Sequence, residues 1–183
     1  MRTIRSLAVF SPTKEKRDVF ASTWADALGI AASSCDAAAD AVAGASHVVA
    51  AARSHGERPI LFGDWLGETA VIASIGSTLP SQRELDVSVI ERAELIVADD
   101  PDELASQTGD MLAAREAGIE FASKLRSLHE LAADPSRVAT VGGIRLFKSL
   151  GSGLQDVALA EQLAFRCVEA GLGRTLGVEL VFK

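Results

Sequence analysis

Short apolar segments and longer amphipathic segments alternate along most of this chain. The short segments are rich in β-branched and aliphatic residues and therefore predict strands. These strands are expected at Ile4–Phe10, Ile30–Ser34, His47–Ala52, Val71–Ile75, Leu95–Ala98 and Ile144–Phe147. Strands that alternate with helices at this spacing indicate right-handed parallel crossovers. We therefore predict an α/β protein with a parallel sheet and helices on both of its faces.

Helical periodicity fills the intervals between these strands. Thr13 is expected to cap a first helix that ends near Leu28. Residues 104–132 are expected to be mostly helical, with breaks at Gly109 and Gly118. Further elements are predicted at Asp36–Ala43, Asp86–Arg92 and Gly151–Ala170, all helical, and at Leu176–Phe182, a final strand.

The strand at Val71–Ile75 precedes the stretch most typical of a functional loop. Gly76 ends the apolar run, and a polar turn with Ser77 and Thr78 follows. In open α/β sheets, ligands bind just beyond the carboxyl ends of strands. The alternative is an ordinary turn whose Ser, Thr and Pro residues serve turn geometry only. The residues alone leave both readings open.

Composition and charge narrow the class of protein. The 183 residues are 48% hydrophobic and 5% aromatic, which suits one compact core of helices on a parallel sheet. The 25 acidic and 18 basic residues give a net charge of −7, and no basic block is long enough to predict nucleic acid as a partner. No apolar segment approaches the roughly 20 residues that predict a membrane span.

Cysteines and histidines indicate neither disulfides nor a metal site. Cys35 and Cys167 lie far apart without metal-ligand spacing, so we expect reduced thiols and a cytoplasmic protein. His47, His55 and His129 are isolated from one another in sequence.

Four blocks of sequence resemble the ornithine cyclodeaminase and mu-crystallin family. They are Gly63–Leu66, Ser74–Asp86, Thr108–Asp110 and Leu146–Asp156. The resemblance implies a Rossmann domain and a substrate and dimerisation domain. It also implies an activity among cyclodeaminases, alanine dehydrogenases and imine or ketimine reductases, or the cofactor binding of a crystallin.

The resemblance starts at what corresponds to the second Rossmann strand of the family. A dinucleotide site needs a first strand and a glycine turn, and this sequence contains no GxGxxG. We therefore expect an incomplete Rossmann-like sheet, as in an N-terminally truncated form, that binds NADP (or NAD) weakly or not at all. The strands ending at Phe10 and Ala52 should pair directly or leave a gap. The expected domains are 1–148, the partial Rossmann domain, and 149–183, a helix and strand of the substrate and dimerisation domain.

The resemblance assigns one group of residues to the adenosine ribose, namely Ser11, Pro12, Thr13 and Arg17. Ser11 leaves room where an acidic residue would favour NAD, and Lys14 and Arg17 add positive charge for a 2′-phosphate. NADP is therefore the favoured cofactor. Without the resemblance, the same residues are also consistent with a capped helix start and a solvated charged turn.

Two further groups are placed by resemblance beside the cofactor. The strand end at Ala50, Ala51 and Ala52 would make backbone contacts, and the loop residues Ser74, Gly76 and Ser77 would line the nicotinamide side. Thr78 stands where cyclodeaminases place a proton-transferring Asp, and its hydroxyl cannot act as a base at neutral pH. Thr78 therefore favours a reductase or a binding role over ornithine cyclodeamination.

The residues Lys148, Ser149 and Gly151 lie between the last strand of the sheet and the long helix. A helix N-terminus there can face the nicotinamide or substrate. Lys148 is a candidate catalytic residue that would help to bind an anion, and the alternative is a lysine that is simply exposed.

We predict an NAD(P)-dependent oxidoreductase that acts on an amino-acid-derived imine or a related small substrate. The alternatives are a non-catalytic nucleotide or small-ligand binding protein and an inactive fragment. Apolar residues at helical spacing in Gly151–Ala170 need a covering surface, so we also expect a homodimer.

Overall fold

The computed structural model of the chain describes residues 3–52, 58–139 and 142–174. It divides the chain into two compact units, residues 1–150 and residues 151–183. The strand predicted at Leu176–Phe182 lies outside the described residues. No helix among the described residues is long and apolar enough to cross a membrane.

The described strands of the first unit are all parallel and form two sheets. They are β1 (Ser6–Val9), β2 (Ala31–Ser34), β3 (His47–Ala50), β4 (Ala70–Ser74), β5 (Ala93–Ala98), β6 (Leu125–Ser127) and β7 (Ile144–Lys148). Strand β1 pairs with β2, and the other strands have the order β3-β4-β7-β5-β6. Strands β1 and β3 thus belong to different sheets, which is the gap that we predicted as one of two outcomes. The parallel α/β class is confirmed.

The helices are α1 (Lys14–Leu28), α2 (Ala38–Val42), α3 (Val87–Arg92), α4 (Pro101–Gln107), α5 (Gly109–Glu116), α6 (Leu128–Ala133), α7 (Ser136–Ala139) and α8 (Gly153–Glu169). Thr13 takes the N-cap position of α1 without a side-chain hydrogen bond. Asp86 caps α3 through Ser88 N–H, and Asp100 caps α4 by accepting from two backbone N–H groups. These caps satisfy donors that a helix start leaves without partners.

The region 104–132 is less helical than we predicted. The expected break at Gly109 is present, because α4 ends at Gln107 and α5 begins at Gly109. The segment after Gly118, however, contains strand β6, which pairs with β5 at the edge of the larger sheet. A strand of three residues has no usable apolar periodicity, so its pairing with β5 decides its conformation.

Most of the core lies on one face of the larger sheet. Alternate residues of the strands, such as Ile72, Ile96 and Leu146, are fully buried there under α3, α4 and α5. On the opposite face, Leu95 and Val97 pack with α6 through Leu131. Helices therefore cover both faces, as predicted.

The second unit is described by helix α8 alone. Its N-cap is Ser152, whose side chain accepts from Gln155 N–H. Large apolar side chains of this helix are exposed, and they are Leu154, Val157, Leu159, Leu163, Phe165 and Val168.

Candidate functional site

The carboxyl ends of β3, β4, β7 and β5 place four residues in one row. Ala50 pairs in register with Ser74, Ser74 with Lys148, and Lys148 with Ala98. All four side chains are buried. Since side chains alternate along a strand, they lie on the same face as the main core. The end of this sheet therefore contains a lysine and a serine where the preceding rows contain only aliphatic residues.

Lys148 is fully buried, and its ammonium group contacts four oxygen atoms of three residues. Nζ lies 2.8 Å from Asp110 Oδ2 and donates to Ser74 Oγ at 3.1 Å. It also donates to Ser77 Oγ at 3.0 Å and to Ser77 O at 3.2 Å. A buried cation without such partners would be strongly destabilising. These contacts therefore stabilise the buried charge, and they also hold the loop that carries Ser77 in place. The alternative of a simply exposed Lys148 is wrong, whereas its catalytic role stays a prediction.

Asp110 connects the lysine to the far end of the loop. Its Oδ2 accepts from Ser77 Oγ at 2.6 Å, and its Oδ1 accepts from the backbone N–H groups of Glu84 and Leu85 at 2.9 and 3.0 Å. Asp110 is fully buried in the first turn of α5. One carboxylate thus holds the beginning and the end of residues 77–85.

Glu84 joins the same loop to the end of β3. Its Oε1 accepts from Ala52 N–H at 2.9 Å, and its Oε2 accepts from Gly76 N–H at 3.0 Å and from Ser74 Oγ. Burial raises the pKa of the Glu84 carboxyl, although these hydrogen bonds and the nearby Lys148 oppose the increase. Glu84 therefore fixes two strand ends side by side at a cost in desolvation.

Two glycines allow these segments to approach closely. A Cβ atom at Gly76 would lie 2.1 Å from Glu84 Oε1 and 2.6 Å from Ala52 O. At Gly109 it would lie 2.2 Å from Gln82 O and 2.6 Å from Pro80 O. No side chain fits at either distance, so Gly76 and Gly109 are required by contact with the neighbouring backbone.

The outer side of the loop has a different character. Thr78 is half-buried, and its N–H donates to Gln82 Oε1 at 3.1 Å. Ile75 and Leu79 are 49% and 53% exposed, while Ser74 and Ser77 are fully buried. The loop therefore presents the apolar side chains of Ile75 and Leu79 outward and directs the hydroxyls of Ser74 and Ser77 into the protein.

The remaining predicted residues of the strand ends are placed as follows. Ala51 and Ala52 are exposed beyond the end of β3. Ser149 donates through its backbone N–H to Ser74 O at 3.1 Å and through its hydroxyl to Asp99 Oδ2 at 2.8 Å. Gly151 belongs to the second unit and has a φ of +76°. Ser149 is thus hydrogen-bonded to Ser74, whereas Gly151 belongs to the second unit.

The residues predicted to contact the adenosine ribose follow the carboxyl end of β1. They are Ser11, Pro12, Thr13 and Arg17. Pro12 and Thr13 are exposed and Ser11 is half-buried. Arg17 is buried, with its guanidinium donating to Ser11 O at 3.1 Å and to Asp36 Oδ1. These residues form a second cluster, separate in the sheet topology from the one around Lys148.

Sequence reasoning missed Glu84, Asp110, Gln82 and Asp36 as individual residues. Glu84 and Asp110 stood inside blocks that carry the family resemblance, and the polar run before Leu85 was the available signal. Among the residues that the structure describes, no group of His, Cys, Asp and Glu could hold a metal ion.

Comparison with known proteins gives a consistent result. The model of the ornithine cyclodeaminase/mu-crystallin family matches residues 1–170. The chain is 26% identical over 169 residues to the ketimine reductase mu-crystallin of Macropus fuliginosus, covering 92% of this chain and 49% of that protein. It is 24% identical over 178 residues to a Delta(1)-pyrroline-2-carboxylate reductase of Bacillus cereus, covering 96% and 54%. The chain thus spans about half the length of these relatives.

Solved structures show the same fold. The Thermococcus litoralis Delta(1)-pyrroline-2-carboxylate reductase in complex with NADH and L-proline matches with a TM-score of 0.82 and 23% identity, over 96% of this chain and 54% of that one. An archaeal alanine dehydrogenase dimer with bound NAD matches with a TM-score of 0.79 and 25% identity, over 94% and 52%. These likenesses confirm the Rossmann-like fold.

We predict that Lys148→Met destabilises the chain by about 3–5 kcal/mol, because Asp110 would remain as a buried charge without its cation. Urea unfolding followed by circular dichroism measures the change. Lys16→Met, which removes an exposed lysine of α1, is the matched control and should change stability by less than about 0.5 kcal/mol. Equal, small effects of both substitutions would show that the buried pair contributes little.

The raised pKa of Glu84 predicts a defined dependence of stability on pH. The unfolded chain ionises near the ordinary value of 4.5, before the folded chain does, so the folded state binds more protons above that pH. Stability should therefore fall as pH rises from about 4.5 to the folded pKa, by at most about 1.4 kcal/mol per pH unit, and this loss should then level off.

Urea unfolding of the unaltered chain and of Glu84→Gln across this pH range tests the sign. The stability of the unaltered chain minus that of the variant should decrease with rising pH. Glu116→Gln, at an exposed position of α5, should show no such trend. A difference that increases with pH would mean that Glu84 is stabilised as a carboxylate.

Proposed function

Because this chain belongs to the ornithine cyclodeaminase/mu-crystallin family, we propose that it supplies the nicotinamide side of an NAD(P)-dependent oxidoreductase. The substrate would be an amino-acid-derived imine or a related small molecule, reduced by hydride transfer. The supporting observation is the buried network of Lys148, Asp110, Ser77, Ser74 and Glu84, which fixes the loop after β4 beside the end of β3.

The arrangement fits a nicotinamide group. Gly76 holds the β4 loop against the end of β3, and the adjacent Ile75 and Ala51 are exposed. A flat, largely apolar ring can pack on such a surface, and the backbone contacts predicted at Ala50–Ala52 would come from groups that Glu84 does not already bind. The cofactor supplies the hydride when it is bound, and the protein orients it. Ser74 and Ser77 would act through their backbone and through the network, because their hydroxyls are occupied inside it.

A reductase fits better than a cyclodeaminase. Thr78 stands where the resemblance places the proton-transferring Asp of cyclodeaminases, and its hydroxyl does not ionise in the useful pH range. Substrate protonation would therefore come from solvent or from a residue outside the described segments. Lys148 would position the loop through Ser77 and Asp110 and would not contact substrate, since Nζ is enclosed by these partners. The non-catalytic alternative predicts binding of the same ligands without turnover.

For the cofactor, we propose NADP in preference to NAD. Arg17 and Lys14 lie at the carboxyl end of β1, where a guanidinium or ammonium group suits a 2′-phosphate. The solved structures of the Thermococcus litoralis reductase and the archaeal alanine dehydrogenase contain NADH and NAD. The proposed cofactor differs from theirs by its 2′-phosphate.

The proposed activity predicts functional complementation. The full chain mixed with the part of the Thermococcus litoralis reductase that it does not cover should oxidise NADPH or NADH in the presence of Δ1-pyrroline-2-carboxylate, measured as loss of nicotinamide absorbance. Each part alone should be at background. The same reductase divided at the corresponding position and remixed is the positive control. If that control is active and the mixture with this chain binds cofactor without turnover, the non-catalytic alternative is correct.

We also propose a homodimer formed through α8. The exposed apolar residues of that helix include Leu159, Leu163 and Val168, and burial of each such side chain contributes about 1.5–3 kcal/mol. The archaeal alanine dehydrogenase of the same fold is described as a dimer.

Sedimentation equilibrium of the chain at tens of micromolar should therefore show self-association. Leu163→Lys combined with Cys167→Lys should give a monomer, because both charges would lie among the exposed apolar residues of α8. Glu161→Lys together with Glu169→Lys is the matched control on the same helix and should remain associated. A chain that already sediments as a monomer would contradict the proposal.

A further inference from the structure

The Arg17 side chain is a buried cation at the carboxyl end of β1. Its side chain is 7% exposed, and the guanidinium carbon lies 5.9 Å from the centre of the Phe10 ring. Nη1 donates to Ser11 O at 3.1 Å, and Nη2 contacts Asp36 Oδ1. Nε is buried and has no hydrogen-bond partner. Arg17 is thus held in place while one of its donors still lacks an acceptor.

Asp36, the partner of this cation, is almost entirely in solvent. Its side chain is 91% exposed and follows the carboxyl end of β2. Phe10 and Ser11 follow the neighbouring strand, since Val9 is in register with Ser34. An exposed carboxylate loses little by turning away into water, so the pair contributes little to stability. The contact can therefore be exchanged for another anion without disturbing the fold.

A second ion pair lies on the same side of α1. Lys14 Nζ is 2.7 Å from Asp18 Oδ2, and the two side chains are 63% and 40% exposed. The pKa of Lys14 is raised, first by its hydrogen bond to Asp18, and Asp36 also contributes. Two cations and two carboxylates therefore influence one another here. Neutralising Asp36 leaves the group with one net positive charge.

We propose that Asp36 determines cofactor specificity by occupying Arg17 in competition with a 2′-phosphate on adenosine. A phosphate monoester carries up to two negative charges and three acceptor oxygens, so it can satisfy Nε as well as Nη2. Asp36 accepts from Nη2 only. The 2′-phosphate would replace Asp36 at Arg17, and the displaced carboxylate would remain nearby as a repelling charge. Asp36 therefore lowers the preference for NADP over NAD. This inference rests on the proposed nucleotide function.

The test uses the full chain and two nucleotides that differ only in the 2′-phosphate. Adenosine 2′,5′-bisphosphate and adenosine 5′-monophosphate are titrated into the isotope-labelled chain, and amide shifts near Ser11, Arg17 and Asp36 are followed by NMR. Neither ligand requires the pyrophosphate site. Binding and its failure are thus measured independently of reductase activity.

Asp36→Asn should bind the bisphosphate about fivefold more tightly than the unaltered chain, because the competing pair is worth up to about 1 kcal/mol. Its affinity for the monophosphate should change by less than about twofold. Asp26→Asn makes the same change of net charge on an exposed position of α1 and should alter neither affinity. Arg17→Met should remove the preference for the bisphosphate.

Several results would overturn the inference. One is an unchanged ratio of the two affinities in Asp36→Asn. Another is equal weakening of both ligands, which would mean that Asp36 binds the ribose or supports the local fold. A third is the absence of shifts around Arg17 with either ligand. If Arg17→Met does not fold, Asp36→Asn and its control still decide the question. A positive nucleotide result beside a failed reductase assay would reject the proposed activity and leave the specificity role standing.

Discussion

A lysine whose charge is removed from water must find compensating partners, and this requirement organises the site. Lys148 ends a central strand with its ammonium group fully enclosed. Asp110 supplies the opposite charge from α5, and Ser74 and Ser77 supply oxygen acceptors from β4 and its loop. Because Asp110 also binds the backbone at Glu84 and Leu85, compensation of one charge fixes a loop of about ten residues. The contacts that compensate the buried charge are thus the same contacts that hold the loop in place.

The desolvation cost at Glu84 fits the same account. A carboxyl group that is buried with a raised pKa is not the cheapest way to join two segments. It does, however, accept from two backbone N–H groups that follow the ends of β3 and β4, which no apolar side chain can do. The protein therefore gives up some stability for a fixed geometry at the ends of β3 and β4. That exchange is common where a surface must be complementary to a ligand before the ligand arrives.

Most of the strands and the position of the loop after β4 could be predicted from the sequence, because both depend on local patterns. Val71–Ile75 is an apolar run with a glycine after it, and such a run predicts a strand end wherever it occurs. Strand β6 was missed because its conformation depends on β5, nearly thirty residues earlier in the chain. The contacts of Lys148 with Ser74, Ser77 and Asp110 were missed for a related reason. Ser77 and Asp110 are 33 residues apart, and the residues around each of them in the sequence do not indicate that the two are in contact. The pairing of Arg17 with Asp36 likewise joins residues that are 19 positions apart, so no local pattern predicts it.

The close contact at Gly109 has a consequence for protein engineering. The first turn of α5 touches the backbone of Pro80 and Gln82 without any intervening side chain. The loop after β4 therefore cannot be exchanged between relatives by itself, because its backbone must fit closely against the first turn of α5. A graft that aims to transfer substrate preference must move residues 74–85 and 108–110 together. Libraries that randomise the loop alone would mostly sample sequences that fail to fit against α5.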